Sequence, residues 1–238
     1  MSWGKMIAGF VGAAAAGVVA WRASKRRGLS HPGELPGYMW AAVMGKSLAV
    51  LGARGVGKTH LYKFLTSGSI SPDYSQTTIG IKMSPRRFKL DTLNISIKEG
   101  MDVSGDEAAH AQWKELVGSA DIVCYLMRAD LILNNDVATK KRVKADINAI
   151  HVWLEEREKR GRRQDFFIVG THCDYVDGYT SSTDDRHGDF VDIFNKHQSV
   201  RDVFFDAGGR EMVKLALGSM ETTQGTEDIT LQIFKQVK

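Results

Sequence analysis

The sequence predicts an α/β domain, a doubly wound, mostly parallel sheet with helices on both faces. Three observations predict it. Short apolar or β-branched runs alternate with helical patterns from Gly45 onward. Two of those runs, DIVCYLM (121–127) and DFFIVG (165–170), are continuously apolar, as in strands covered on both faces. A glycine-rich turn joins the first strand to the first helix. In order, KSLAVL (46–51) is a strand, followed by a helix near 58–67. IKMSPRRFKL (81–90) and LNISIKEGM (93–101) are the next two strands, and the alternation of Leu93, Ile95 and Ile97 marks the second. Helices near 106–118, 135–160, 187–205 and 226–237 separate the strands at 121–127, 165–170 and 213–218. In the longest helix Ile147, Ile150 and Leu154 recur at helical spacing and should face the sheet. Ligands in this architecture sit beyond the carboxyl ends of the strands, so chemistry is expected in the loops after 51, 101, 170 and 218.

Composition narrows the class. The 238 residues are 43% hydrophobic and 25% charged, a globular balance with no disordered signature. Cys124 and Cys173 are too few for a disulfide framework or a four-ligand zinc site and read as reduced, semi-buried thiols. The formal net charge of +4 is uneven. Lys5, Arg22, Lys25, Arg26, Arg27 and Lys46 face a single Glu34 in residues 1–46, and the rest of the chain is close to neutral. That pattern excludes a uniformly basic nucleic-acid binder and fits a basic segment beside a membrane.

The chain divides into a hydrophobic helix with a basic flank (1–27), a Gly/Pro-punctuated linker (28–44) and a main domain (45–238). Met6 to Trp21 carries no charge. As a helix it would span about 24 Å, short of the ~30 Å hydrocarbon core. Trp3 and Trp21 are spaced as two interfacial aromatics would be, and the four cations after the run would keep the main domain cytoplasmic. A cleaved signal peptide and a buried or oligomer-forming helix are the competing readings.

The loops carry the candidate residues. Gly52-Ala53-Arg54-Gly55-Val56-Gly57-Lys58-Thr59 is GxxxxGK[ST] in its required setting between strand and helix. Glycines let backbone N–H groups ring a phosphate, and the helix N-terminus, continuing into His60, adds a favourable dipole. Lys58 would reach the β/γ-phosphates and Thr59 would ligate Mg²⁺. This motif alone fits ATPases and GTPases equally. Asp102-Val103-Ser104-Gly105 is D-x-x-G after a strand, with Asp102 near the metal and Gly105 at the γ-phosphate. Thr78, in TTIG (77–80), would close over the metal. Thr171-His172-Cys173-Asp174 follows a strand, and Asp174 would pair with the guanine N1–H and 2-amino group. Ser219 and Met220 follow the last strand, where backbone N–H would read guanine O6.

GARGVGKT, TTIG, DVSG, THCD and GSM stand in one order, and over 46–238 the chain resembles the Ras-like and Arf-like small GTPases. The resemblance implies the P-loop GTPase fold, binding of GTP and GDP with Mg²⁺ on Thr59, Thr78 and Asp102, switch segments near 68–80 and 104–115, and an effector or activating protein. T-x-x-D is a variant of the family's guanine motif, and His172 stands where the family's Lys packs on the base. The departures concern catalysis. Asp106 occupies the place of the hydrolytic Gln, and a carboxylate cannot donate an amide's hydrogen bond. Glu107 or His110 would have to substitute for it. Arg54 stands where many members carry Gly, either impeding hydrolysis or reaching the phosphates in cis. The expected function is thus a membrane-tethered guanine-nucleotide switch with slow hydrolysis. A non-hydrolysing scaffold and a P-loop ATPase remain open. The cluster Arg157–Arg163 ends the long helix, where cations complement its dipole, with Gly161 as cap; a lipid or partner contact is the other reading.

Overall fold

The structure, a computed structural model, describes residues 46–67, 81–83, 86–90, 93–102, 110–181 and 184–237. The expected anchor helix, its basic flank and the linker lie outside the described residues, as do Thr78, Gly105 and Asp106. No helix among the described residues is long and apolar enough to cross a membrane.

Among the described residues the sheet has seven strands: β1 (Lys46–Gly52), β2 (Ile81–Met83), β3 (Arg86–Leu90), β4 (Leu93–Asp102), β5 (Ile122–Arg128), β6 (Asp165–Thr171) and β7 (Lys214–Leu217). The path runs β2-β4-β1-β5-β6-β7, with β3 also on β4. β4, β1, β5, β6 and β7 are mutually parallel, whereas β2 and β3 run antiparallel to β4. The helices are α1 (Lys58–Ser67), α2 (His110–Ser119), α3 (Ala129–Leu133), α4 (Val137–Glu158), α5 (His187–Lys196), α6 (Gln198–Asp206) and α7 (Thr223–Lys235). The doubly wound expectation is met.

Strand alternation divides the core between two faces. Ala49, Leu51, Val123, Tyr125, Met127 and Ile168 point to one face, where Trp113 of α2, Ile147 and Ile150 of α4 and Phe194 of α5 cover them. Leu48, Val50, Ile122, Cys124, Leu126 and Phe167 point to the other, against Leu61 and Leu65 of α1 and Ile229 and Ile233 of α7. Leu154 packs at the margin of the first face. Both thiols are fully buried and unpaired, not semi-buried.

Three boundaries differ from expectation. The stretch 81–90 is two short strands, β2 and β3. A short helix, α3, precedes the long one, and Asp136 caps α4 by accepting the Thr139 N–H at 2.7 Å. The helix expected over 187–205 breaks at His197, whose backbone is extended (φ −64°, ψ 132°).

Candidate functional site: three loops at the carboxyl end of the sheet

The loop between β1 and α1 depends on glycine at defined points. Gly52 has φ +138°, and a Cβ there would lie 2.3 Å from the Leu126 carbonyl oxygen. Only glycine lets β5 pass so close. Gly57, at φ +93°, faces Met220, whose sulfur would be 2.9 Å from a Cβ. Gly55, at φ +79°, opens to free space. Val56 is buried in the second face of the core, and Arg54 is exposed at the tip. Lys58 is buried, and its Nζ donates to the carbonyls of Gly52 and Ala53, both at 2.9 Å. The ammonium thus bridges back across the loop. Thr59 and His60 form the first turn of α1. Burial, followed by the charge of Lys63, holds the His60 pKa below its ordinary value.

The loop after β6 is organised by Thr171 and His172. Thr171 is fully buried and its hydroxyl donates to the Met127 carbonyl at 3.1 Å. With its one proton committed, Oγ accepts from His172 Nδ1–H at 2.9 Å. That assignment leaves His172 Nε2 as an acceptor. His172 sits in the left-handed region (φ 58°, ψ 33°), uncommon outside glycine and asparagine. Its ring stacks near Tyr175, with centroids 6.2 Å apart and planes at 29°. Burial, then the neighbouring Arg128, holds its pKa below the ordinary value. Asp174 is exposed in the short 3₁₀ turn Cys173–Tyr175.

The loop after β7 is tied to it by backbone. Cys173 N–H donates to Gly218 O at 3.2 Å, and Gly218 N–H donates to Gly170 O at 3.0 Å. Gly218 lies against Ile229, where a Cβ would be 2.6 Å from Cγ1. Ser219 Oγ accepts the Glu221 N–H at 3.2 Å, and buried Met220 closes the loop onto Gly57. The structure therefore brings Gly52, Arg54, Gly55, Val56, Gly57, Lys58, Thr59, His60, Thr171, His172, Asp174, Ser219 and Met220 to one end of the sheet. Asp102 ends β4 in register with Val50 of β1, at that same end.

Sequence reasoning missed an ion pair here. Arg128 ends β5 opposite Thr171, and its Nε donates to Asp130 Oδ1 at 2.8 Å while Nη2 donates to Oδ2 at 2.5 Å. Its guanidinium also lies 5.8 Å from the Tyr175 ring centroid. Burial would raise the Asp130 pKa, but the Arg128 hydrogen bonds and charge, the Leu131 N–H and the nearby His172 together hold it low. An Arg closing an apolar strand with Asp two residues on was the available signal. Neither Cys173, a thiol of the same loop, nor His110, the stand-in for the hydrolytic Gln, is set up for catalysis. The Cys173 thiol is pushed up to about 12 by burial, so it is no nucleophile. His110 Nε2 is bonded at 2.8 Å to Asp146 Oδ1, a fully buried carboxylate that also accepts from Tyr125 and Arg142. That places His110 in a structural network under α2. No group of three or more metal-ligating side chains occurs among the described residues.

A parallel sheet with its glycine loop, Lys58 and base-side loops at one end defines the P-loop GTPase class. Within it, the chain belongs to the Roc family, described as "Ras of Complex, Roc, domain of DAPkinase", whose family model matches residues 47–174. This is a Ras-like nucleotide-binding domain. No curated protein matches the chain.

Proposed function

We propose that the chain is a guanine-nucleotide-dependent switch, tethered to a membrane through residues 6–21, that binds GTP and GDP with Mg²⁺ and hydrolyses GTP slowly. One observation carries the nucleotide reading: the loops after β1, β6 and β7 converge through the Gly57–Met220 contact and the Cys173–Gly218–Gly170 backbone bonds. The donor set suits a polyphosphate. A buried ammonium resting on two neutral carbonyls stands at a helix N-terminus, where an anion is favoured. Lys58 and the backbone of Gly55–Thr59 would receive the phosphates. Thr59 and Asp102, joined by Thr78, would hold Mg²⁺, which neutralises charge on the transferring phosphoryl group. Asp174, exposed beside the loop, would take the guanine N1–H and amino group, and His172 would pack on the base. Asp106 lacks the amide that orients water, so turnover is slow; Arg54 is the residue whose exposed guanidinium would partly compensate.

The tether reading is supported by the uncharged run 6–21 and the cations that follow it. It places the main domain on the cytoplasmic face and leaves the loops free for an effector or activating protein.

The test is nucleotide content followed by turnover. The full chain is denatured, its released nucleotide is identified by chromatography, and single-turnover hydrolysis is followed with Mg²⁺. Co-purified GDP with measurable hydrolysis supports a working GTPase. GTP that survives for hours selects the non-hydrolysing scaffold, and adenine nucleotide or none overturns the guanine reading. Asp174→Asn should lower GTP affinity at least tenfold; unchanged selectivity would favour an ATPase.

A further inference from the structure

The basic cluster at the end of α4 is explained only in part by helix capping. Arg157 is buried, and its Nη1 donates to the carbonyls of Val117, at 3.0 Å, and of Ala120. It therefore serves the end of α2 rather than its own helix. The end of α4 is closed by Gly161 (φ +76°). Its N–H donates to Glu158 O at 2.8 Å and the Arg162 N–H to Arg157 O at 3.4 Å, a Schellman turn. Lys159, Arg160, Arg162 and Arg163 are exposed and make no ion pair or side-chain hydrogen bond among the described residues. Glu158 is the one carboxylate within the run 157–163. Four cations crowded into one turn repel one another, and no ion pair among the described residues offsets this.

Their placement supplies the reason. The turn leads into the amino end of β6, and Arg162 and Arg163 line a cleft of about 550 Å³ with Lys46 and Lys214 and with the carboxylates of Asp121, Glu155, Glu158, Asp165 and Glu211. Lys46 is the first residue of β1, so the chain arriving from the hydrophobic run enters at this end. The three loops of the nucleotide site lie at the other end. Residues 28–45 join the two parts in the sequence. Lys46 and Lys214 are already engaged by Asp165, at 3.6 and 2.6 Å, whereas the four turn cations make no ion pair among the described residues.

We propose that the turn 159–163 is a docking surface for anionic lipid headgroups, seating the amino end of the sheet on the membrane with the nucleotide site facing away. Clustered Lys and Arg are drawn to an anionic leaflet only within about a screening length, so a projecting turn outperforms the same charge spread over the domain. The proposal rests on the reading of 6–21 as a membrane tether.

The test uses the full chain on vesicles of phosphatidylcholine and on the same vesicles with about 30% phosphatidylserine, a strongly anionic surface. Flotation reports the tether, and amide hydrogen exchange over 157–164 reports the turn. The expected result is flotation on both compositions, with exchange in the turn about fivefold slower or more on anionic vesicles and restored by high salt. The quadruple variant K159Q/R160Q/R162Q/R163Q should float equally well and show no dependence on lipid composition. Equal exchange of the wild-type turn on both vesicles overturns the proposal. So does protection by polyglutamate without protection by anionic lipid, which would assign the turn to an acidic polypeptide. If the chain floats only on anionic vesicles and the quadruple variant does not float, the tether reading falls and the docking surface stands.

Discussion

At the carboxyl ends of β1, β6 and β7 the closest approaches between loops are made by glycine main chain, whereas at the amino ends side chains add ties to the backbone bonds from Asp121 N–H to Ser47 O and from Asp165 N–H to Asp121 O. Gly218 bonds to Gly170 and Cys173, and Gly52 and Gly57 bring main chain against Leu126 and Met220. At the opposite end Asp165 lies between Lys46 and Lys214, and the Ser47 N–H and hydroxyl both donate to Asp121 Oδ2 at 2.8 Å. Arg157 and Gln164 together cap the carbonyls of Val117 and Ala120. Backbone ties fix geometry tightly but tolerate no added atom. Side-chain ties are looser and share their load. The end that carries the chemistry should therefore be far less forgiving of substitution.

Gly52→Ala should have the largest effect. Its Cβ meets a carbonyl oxygen at 2.3 Å in a positive-φ conformation, and the strain should cost about 3–5 kcal/mol. Urea denaturation reads this directly, with nucleotide binding lost alongside it. A cost below about 1 kcal/mol would end the contrast between the two ends.

Asp146→Ala tests a tie that belongs to neither end. The carboxylate is fully buried and joins His110 of α2, Tyr125 of β5 and Arg142 of α4. Removing it strands the half-buried guanidinium of Arg142 and leaves the buried Tyr125 hydroxyl without its acceptor, and the expected loss is about 3 kcal/mol in denaturant titration. Asp146→Asn should recover part of that.

Arg157→Met probes the amino end. Gln164 Nε2 still donates to both carbonyls, each at 2.6 Å, so the loss should be only about 1–2 kcal/mol. Nucleotide affinity should stay within twofold of wild type. A larger change in affinity would show that the amino end is coupled to the site, against the division drawn above.

These ties also mark what local sequence patterns can and cannot disclose. The parallel strands were legible because burial on both faces writes continuous apolar runs, and the glycine loop because its φ values require glycine at fixed spacing. Arg157 was not, since its partners lie 37 and 40 residues away and its own surroundings are all charged. The Arg128–Asp130 pair was missed because Asp130 looks like a solvated helix start, yet it is 5% exposed. The break at His197 has no Pro or Gly to announce it. There the chain turns so that Phe194 and Val200 can both reach the first core face.

The smallest expected effect is a pH dependence at the carboxyl end. Burial and Arg128 hold the folded pKa of His172 below its ordinary 6.5. Between the two values the unfolded chain binds more protons than the folded one, so stability rises with pH across that window. The contribution is complete above about pH 6.5 and is lost as the pH falls through the folded value. His172→Gln removes this titration while keeping a side chain able to hydrogen-bond Thr171. Urea midpoints for wild type and variant at pH 7.5, 6.5 and 5.5 should therefore converge towards acid, the wild type losing more. Parallel curves would mean that the ring is free to protonate where it stands. In that case the bond with Thr171 does not hold the loop, and the base-side loop would be fixed by the Cys173–Gly218–Gly170 backbone bonds alone.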